Sequence, residues 1–325
     1  MTTTISTSGI QLLLTNNLLA QQKNLSKLNE QLGSGVQNND LTDYTPAVAF
    51  NLVNFQNTVT QRQSYIDAMK NASTRLSAYD TTLGNMENIA TTAQNLAQSN
   101  QSLDPSTVSQ LHAQAQSYLK QLTDDLNQQI GGRYIYSGSR YSTAPVVDLT
   151  TLSGTPSVPF NPTVSPAVAN YDTSYVSPGP TNTPSAWATD SVSTDINQSL
   201  TYGVNSNNPA FQQLVAGLQL LSAATAPGVD ATTYNTDIVN AGNLLGTALN
   251  NVQGVHSGVS SNISILKNET DLQNTDINNL KNQIGDLQNA DITQVGTSIN
   301  LLQTQLQASY SATASLTQDS ILKYL

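Results

Sequence analysis

The chain has 325 residues, no cysteine and a formal net charge of −10. The lack of cysteine excludes disulfides, thiol nucleophiles and cysteine-ligated metals. The acidic balance argues against nucleic acid and membrane surfaces as partners, because both attract clustered lysine and arginine. Only 10% of the residues are charged, against about 25% in an ordinary soluble domain. Amide and hydroxyl side chains must therefore make most of the hydrogen bonds to water on the polar faces.

The first predicted element is an amphipathic helix over residues 5–32. Gly33-Ser34-Gly35 is typical of a helix end, and the polar linker VQNNDLTDYT follows it. The leucines that recur on one helical face are Leu14, Leu18, Leu25, Leu28 and Leu32.

A long helix is predicted next. Pro46 suits its first turn and Thr45 can cap it. A heptad-like apolar stripe continues to about residue 97, which corresponds to roughly 75 Å of helix at 1.5 Å per residue. A helix of this length needs partners alongside it. Asp104-Pro105 is predicted to start a shorter helix that completes a helical hairpin, with apolar residues including Tyr118 on one face.

The stretch GGRYIYSGSRYSTAPV, residues 131–146, has a different character. Gly131-Gly132 is interpreted as the end of the preceding helix. Tyr134 and Tyr136 are expected on one face of a strand, and Gly138 permits a turn or bulge. We expect this stretch to serve packing and subunit contact rather than chemistry.

The middle of the chain changes composition again. Eight of the twelve prolines lie between residues 145 and 184, and no Lys or Arg occurs between Tyr141 and Leu266. The density of Val, Thr and Tyr, with Trp187, favours a small β-rich domain with irregular loops, and partial disorder is the alternative.

Helical spacing returns at Phe211 and continues through a second long helix from about Tyr234 to Leu287. The apolar stripe slips by one position at residues 289–291 and then resumes in a terminal helix. Its stripe includes Ile292, Val295, Ile299, Leu302, Leu306, Leu316 and Ile321. The two long helices are natural antiparallel partners, and the two terminal helices can pair in the same way.

No set of residues points to catalysis. His112 and His256 lie on separate predicted helices without metal-ligand spacing, so we interpret them as surface or interface residues. Asp124 and Asp125 are adjacent on a helix and therefore point apart. Phosphate-loop, dinucleotide and nucleophile-elbow motifs are missing from the sequence. The sequence therefore predicts no enzyme activity, no metal site and no cofactor.

Three stretches carry a resemblance to a known family. They are ISTSGIQLLLTNNLLAQQKNLSKLNEQLGSG at the start, NQQIGGRYIYSGSRYSTAPV in the interior, and DLQNADITQVGTSINLLQTQLQASYSATASLTQDSILKYL at the end. The chain resembles the flagellin superfamily, and within it the proteins that join the hook to the filament of the bacterial flagellum. The resemblance covers roughly residues 1–146 and 210–325, and residues 36–47 depart from the family's linker. The interior motif residues are Gly132, Arg133, Tyr134, Tyr136, Gly138, Thr143 and Pro145.

The resemblance implies a fold that is mainly α with a β-rich insertion. Both termini would form an inner coiled-coil domain, from residues 1–45 and 289–325. A helical bundle with a β-hairpin would comprise residues 46–146 and 209–288, and a variable β-rich surface domain would occupy residues 147–208.

The resemblance also implies partners and a location. The subunits would associate into a ring between an adjacent hook-associated protein and flagellin. The chain would reach the exterior through the flagellar type III export system, without a cleaved signal peptide, and an export chaperone would bind its C-terminal region. Neither nucleic acid nor a membrane is an expected partner.

Two other functions stay open at this point. Flagellin itself, the filament subunit, shares the terminal helices, and a secreted surface adhesin could use the middle domain. Because a two-helix unit buries little apolar area, we also expect residues 1–35 and 290–325 to be loosely ordered in the monomer and to fold on assembly.

Overall fold

The computed structural model describes residues 7–152, residue 156 and residues 188–321. The structure is 74% helical with a small antiparallel β part, so the predicted fold class is confirmed. The helices in the described residues are α1 (Thr7–Ser34), α2 (Pro46–Ser99), α3 (Val108–Leu126), α4 (Pro209–Ala224), α5 (Ala231–Gln288) and α6 (Ile292–Ile321). The strands there are β1 (Gln129–Ile130), β2 (Arg133–Tyr134), β3 (Ser191–Asp195) and β4 (Gln198–Thr201). No helix within these described ranges is long and apolar enough to cross a membrane.

The chain forms two compact units. Residues 1–61 and 275–325 make the terminal unit, and residues 62–274 make the central unit. The long helices α2 and α5 contribute residues to both units, because each boundary falls within a helix.

In the terminal unit, α1 and α6 pack together as an antiparallel pair. At one end of the pair, the segment that follows α1 is hydrogen-bonded to the segment that precedes α6, and we call this the closed end. Gln37 donates its backbone N–H to the Gln288 carbonyl oxygen at 2.7 Å, and Ala290 donates to the Gly35 oxygen at 2.9 Å. These two bonds, which form a short bridge of extended chain around Val36 and Asn289, set the register of the helix pair.

The predicted end of α1 and the predicted start of α6 are both confirmed. Gly35 takes a positive φ of 73° directly after the last helical residue, a conformation that favours glycine. At the start of α6, the Asp291 carboxylate accepts the N–H groups of Thr293 and Gln294 at 2.9 and 3.1 Å. This side chain satisfies two backbone donors that the first helical turn leaves free.

In the central unit, α4 lies almost entirely inside. Thirteen of its sixteen residues are buried, so the other helices of this unit must cover it on most sides. The α3 helix presents one buried face and begins at Val108 rather than at Asp104-Pro105, which form the turn before it. Tyr118 was predicted on that face, but Leu119 holds the buried position and Tyr118 is only half-buried.

The double glycine does not end α3, and that prediction was wrong. The helix ends at Leu126, and Gly131 and Gly132 form the two-residue turn between β1 and β2. Both glycines have positive φ, 58° and 77°. This is the combination that a tight hairpin turn with right-handed strand twist requires.

The described part of the middle segment is a second hairpin. Strands β3 and β4 pair antiparallel, with Val192 opposite Leu200. This agrees with the expected β character of the segment. The rest of the predicted β-rich domain, with Trp187, lies outside the described residues.

The positive φ at Gly35 yields a stability prediction. Gly35→Ala should destabilise the closed end of the α1/α6 pair by about 1–2 kcal/mol, because a left-handed conformation is strained once a Cβ is present. Backbone amides of α1 and α6 should then exchange about 5–30-fold faster with deuterium.

The matched control is Gly33→Ala, two residues earlier and inside the helix, where an added Cβ also meets open space. It should leave exchange unchanged or slow it, because alanine favours the helix over glycine. Equal effects of the two substitutions would contradict the role given to Gly35.

Candidate functional site

The first candidate surface is the inner face of the terminal helix pair. On α1, Leu14, Leu18, Leu25 and Leu28 are half-buried. Leu32, expected on the same face, is 44% exposed. The leucine stripe therefore faces the partner helix along most of α1 but not at its C-terminal end.

The partner face on α6 is better covered. Val295, Ile299 and Leu306 are buried and Leu302 is half-buried, whereas Ile292 is exposed at the helix start. Leu316 and Ile321 belong to α6, and their side chains lie outside what the structure describes.

Polar contacts between the two helices use uncharged groups. Gln22 Nε2 donates to Tyr310 Oη at 2.8 Å, and Ser309 Oγ donates to Gln21 Oε1 at 3.3 Å. In α6 the sequence has a single charged residue, Asp319. Copies of such a helix can therefore lie side by side without charge repulsion.

The pair also keeps large apolar side chains in solvent. Leu12 and Leu19 are 65% and 57% exposed, and Leu301 on α6 is 60% exposed. Leu301 also lines a groove of about 360 Å³ between the helices, together with Leu28 and Leu302. No residue of α1 whose side chain is described is buried, so this pair has apolar surface available to another partner.

The second candidate surface is the hairpin stretch, which is anchored by Tyr136. This side chain has no exposed surface. Its ring packs edge-on against Tyr79 and Phe211, with centroids at 4.9 and 5.5 Å. Its hydroxyl lies 2.6 Å from Thr82 Oγ1, and its carbonyl oxygen accepts the Ser206 N–H at 2.9 Å. Tyr136 thus ties the hairpin to α2, to α4 and to the chain that leaves β4.

Tyr79 holds the neighbouring residue. Its hydroxyl on α2 donates to the Ile135 carbonyl oxygen. Burial raises the pKa of both Tyr79 and Tyr136. Both side chains are therefore neutral hydroxyls, which suits hydrogen bonding within a core.

The predicted alternation of the tyrosines along a strand was wrong. β2 ends at Tyr134, which is half-buried, whereas Ile135, Tyr136 and Ser137 are all buried. The chain turns here, since Ser137 Oγ donates to the Tyr134 oxygen at 2.8 Å and Gly138 has φ 60°. A turn, rather than a strand, therefore places three successive side chains inside.

The remaining motif residues frame this turn. The Arg133 guanidinium lies 3.7 Å from the centre of the Tyr141 ring, and the Tyr141 oxygen accepts the Tyr134 N–H at 2.8 Å. The Thr143 N–H donates to the Arg140 oxygen at 2.9 Å, and Pro145 is buried. Arg133 thus has an aromatic partner within its own hairpin.

Sequence reasoning missed the contacts that attach the β3/β4 hairpin to α2 and α5. Arg75 on α2 binds Asp190 at 3.3 Å and donates to Tyr202 Oη at 3.0 Å. Buried Gln273 on α5 donates to the Thr194 oxygen at 2.9 Å and accepts from Arg62 at 2.6 Å. The partners lie 79 to 211 positions apart, so no local pattern could have revealed them.

The two histidines occupy different settings. His112 Nδ1 lies 3.0 Å from the Ser222 carbonyl oxygen, and His256 lies between the carboxylates of Asp80 and Glu87. The Asp125 side chain accepts from Asn85, and burial raises the pKa of Asp125, whereas Asp124 is exposed. Across the described ranges, no group of three or more His, Asp or Glu residues is placed to hold a metal ion.

The anchoring role of Tyr136 can be tested by truncation. Tyr136→Phe should cost about 1 kcal/mol of unfolding free energy through the lost hydroxyl contact. Tyr136→Ala should cost about 3–5 kcal/mol through the cavity it leaves. Urea unfolding of the full chain, followed by circular dichroism, measures both.

Tyr141→Phe is the control in the same motif, because Tyr141 is 44% exposed. It should change stability by less than about 0.5 kcal/mol. An equally small effect of Tyr136→Ala would contradict the anchoring role.

Part of this chain matches a known protein family. Residues 243–325, which span most of α5 and all of α6, match the family model for the bacterial flagellin C-terminal helical region. No curated protein matches the sequence.

Two solved structures are similar to this chain. One is a proposed flagellar hook-associated protein from Vibrio parahaemolyticus, with 14% identity and a TM-score of 0.54 over 76% of this chain and 100% of that chain. The other is FlgL of Bacillus cereus, with 13% identity and a TM-score of 0.35 over 73% and 93% of the two chains. The first likeness shows a shared fold. The family match shows the resemblance to flagellins for residues 243–325.

Proposed function

We propose that this chain is a structural component of the bacterial flagellum, a hook-associated protein that joins the hook region to the flagellin filament. One observation carries the proposal. The flagellin-type C-terminal helix is paired with α1, and this pair keeps Leu12, Leu19 and Leu301 in solvent. Exposed apolar side chains of this kind commonly form interfaces between subunits.

Self-association into a ring is supported by the same helix pair. Burying one leucine side chain contributes about 1.5–3 kcal/mol, so several exposed leucines per subunit give a substantial gain when copies pack together. The near absence of charge on α6 removes the repulsion that identical neighbours would otherwise experience. The residues proposed for this assembly role are the leucine, isoleucine and valine stripes of α1 and α6, together with the exposed leucines.

The proposed neighbours are an adjacent hook-associated protein on one side and flagellin on the other. An export chaperone that binds the C-terminal region is the proposed partner before assembly, and the proposed location is the exterior of the cell, reached through the flagellar type III system. Lack of cysteine supports a chain that travels unfolded, because mispaired disulfides cannot form. In this role the protein is not an enzyme.

The proposed division of the chain follows its expected roles. Residues 1–45 and 289–325 would form the inner domain, residues 46–146 and 209–288 the helical bundle with the hairpin, and residues 147–208 the surface domain. The Tyr136 hairpin motif is proposed to hold the bundle together at the point where the surface domain leaves it.

Flagellin itself is the second candidate, because the family match is to the C-terminal region of flagellins. A filament subunit would polymerise without limit, whereas a junction protein would stop at a ring. The surface adhesin proposed from the sequence would depend on a segment that lies mostly outside the described residues.

A deletion strain tests the proposed function. Electron microscopy should show hooks without filaments, with flagellin shed into the medium, and the full chain supplied in trans should restore filaments. Intact filaments in the deletion strain would overturn the proposal. Long filaments grown from the purified chain alone would favour flagellin.

Complementation with Leu12→Gln/Leu19→Gln tests the observation that carries the proposal. Both side chains are more than half exposed, so the variant should fold with a stability close to that of the unaltered chain, within about 0.5 kcal/mol per substitution. It should nevertheless fail to restore filaments. Asn16→Gln lies on the same helical face, at i+4 from Leu12, and serves as the control that should restore them. Full restoration by the double variant would contradict the role of these leucines.

A further inference from the structure

His256 joins the two long helices within the central unit. Its Nδ1 atom on α5 lies 2.7 Å from Glu87 Oε1 on α2, and its Nε2 atom lies 3.0 Å from Asp80 Oδ1 on the same helix. The imidazole side chain is 23% exposed. One ring thus spans two carboxylates that lie seven residues apart on α2, which corresponds to about two helical turns.

The number of hydrogens on the His256 ring nitrogens decides whether both contacts can form. An ionised carboxylate only accepts hydrogen bonds, so each ring nitrogen must carry a hydrogen to make both contacts. Only the imidazolium form of His256 meets that condition. A neutral imidazole has one N–H, so its second nitrogen would direct a lone pair at a carboxylate oxygen. Deprotonation must therefore release one of the two contacts.

The surrounding charges favour the imidazolium. Partial burial acts to lower the pKa of His256, but the hydrogen bonds and negative charges of Glu87 and Asp80 outweigh it, so the pKa is raised above its usual value. From α5 itself, the Ser260 hydroxyl contacts Asp80 at 3.4 Å. From α3, Asp125 contacts the same stretch of α2 through Asn85.

The position of this contact on α2 links it to the hairpin. Tyr79 and Thr82, which hold Ile135 and Tyr136, lie in the same two turns of α2 as Asp80 and Glu87. One face of this stretch therefore holds the hairpin while another holds α5.

We propose that His256 is a pH-dependent clamp between α5 and the stretch of α2 that contacts the hairpin. As imidazolium it binds both carboxylates and fixes α5 to that stretch, and as neutral imidazole it releases one of the two carboxylates. The helix pair then has a tightly joined state at lower pH and a looser state at higher pH. This device acts within the central unit and does not depend on the proposed flagellar role.

The direction of the pH effect follows from the raised pKa. The stabilisation is fully present below the unfolded-state pKa of about 6.5 and is lost as pH rises through the folded-state pKa. His256→Gln keeps a polar side chain but cannot carry the charge. The ratio of its unfolding equilibrium constant to that of the unaltered chain should be several-fold larger at pH 6 than at pH 9.

Nitrogen-15 NMR of the His256 ring in the full chain gives an independent measurement. Both ring nitrogens should carry hydrogen at pH 6, and the titration midpoint should lie above the usual histidine value and should fall in Glu87→Gln. The control for the stability measurement is His112→Gln, at a ring that contacts a carbonyl oxygen. It should retain the pH dependence of the unaltered chain.

Two results would overturn the clamp. One is a loss of stability in His256→Gln that is the same at pH 6 and pH 9, as expected for a contact that does not depend on charge. The other is a His256 titration midpoint at or below the usual histidine value, or one that Glu87→Gln leaves unchanged.

Discussion

Two helices packed against each other can cover only one face of each, and this limit shapes the terminal unit. The α1/α6 pair buries Val295, Ile299 and Leu306 but leaves Leu12, Leu19 and Leu301 in solvent. The backbone bonds between residues 35–37 and 288–290 fix the register of the pair, so the exposed leucines are held at defined positions. We propose that further subunits cover this surface, and the match of residues 243–325 to the flagellin C-terminal region supports that proposal.

The central unit uses a different means of stabilisation. Its core is closed by the α4 helix, most of which is buried, and by Tyr136, which brings α2, α4 and the hairpin together. Charged groups appear where they join distant segments, as in the Arg75–Asp190 pair and in the contact of His256 with Asp80 and Glu87. The terminal helices bond to each other through amides and hydroxyls. This difference supports the proposal that the terminal unit, unlike the central unit, packs against identical copies.

The helices were predictable from the sequence because their signals are local. The end of α1 at Gly35, the start of α2 at Pro46 and the break before Ile292 all rest on spacing and on residues with strong backbone preferences. The Gly131-Gly132 pair was misassigned because two glycines serve a helix end and a hairpin turn equally well, and only the pairing of β1 with β2 distinguishes them. The contacts of Arg75, Gln273 and His256 could not be predicted, since each joins residues at least 79 positions apart.

The central claim is that the terminal helix pair is incomplete in one chain and is completed by its neighbours. Hydrogen exchange on the isolated full chain, compared with the assembled form, tests it most directly. The account predicts weak protection of α1 and α6 in the isolated chain, strong protection of α2 and α4 in the central unit, and a marked gain for α1 and α6 on assembly. Strong protection of both terminal helices in the isolated chain, equal to that of α4, would contradict it.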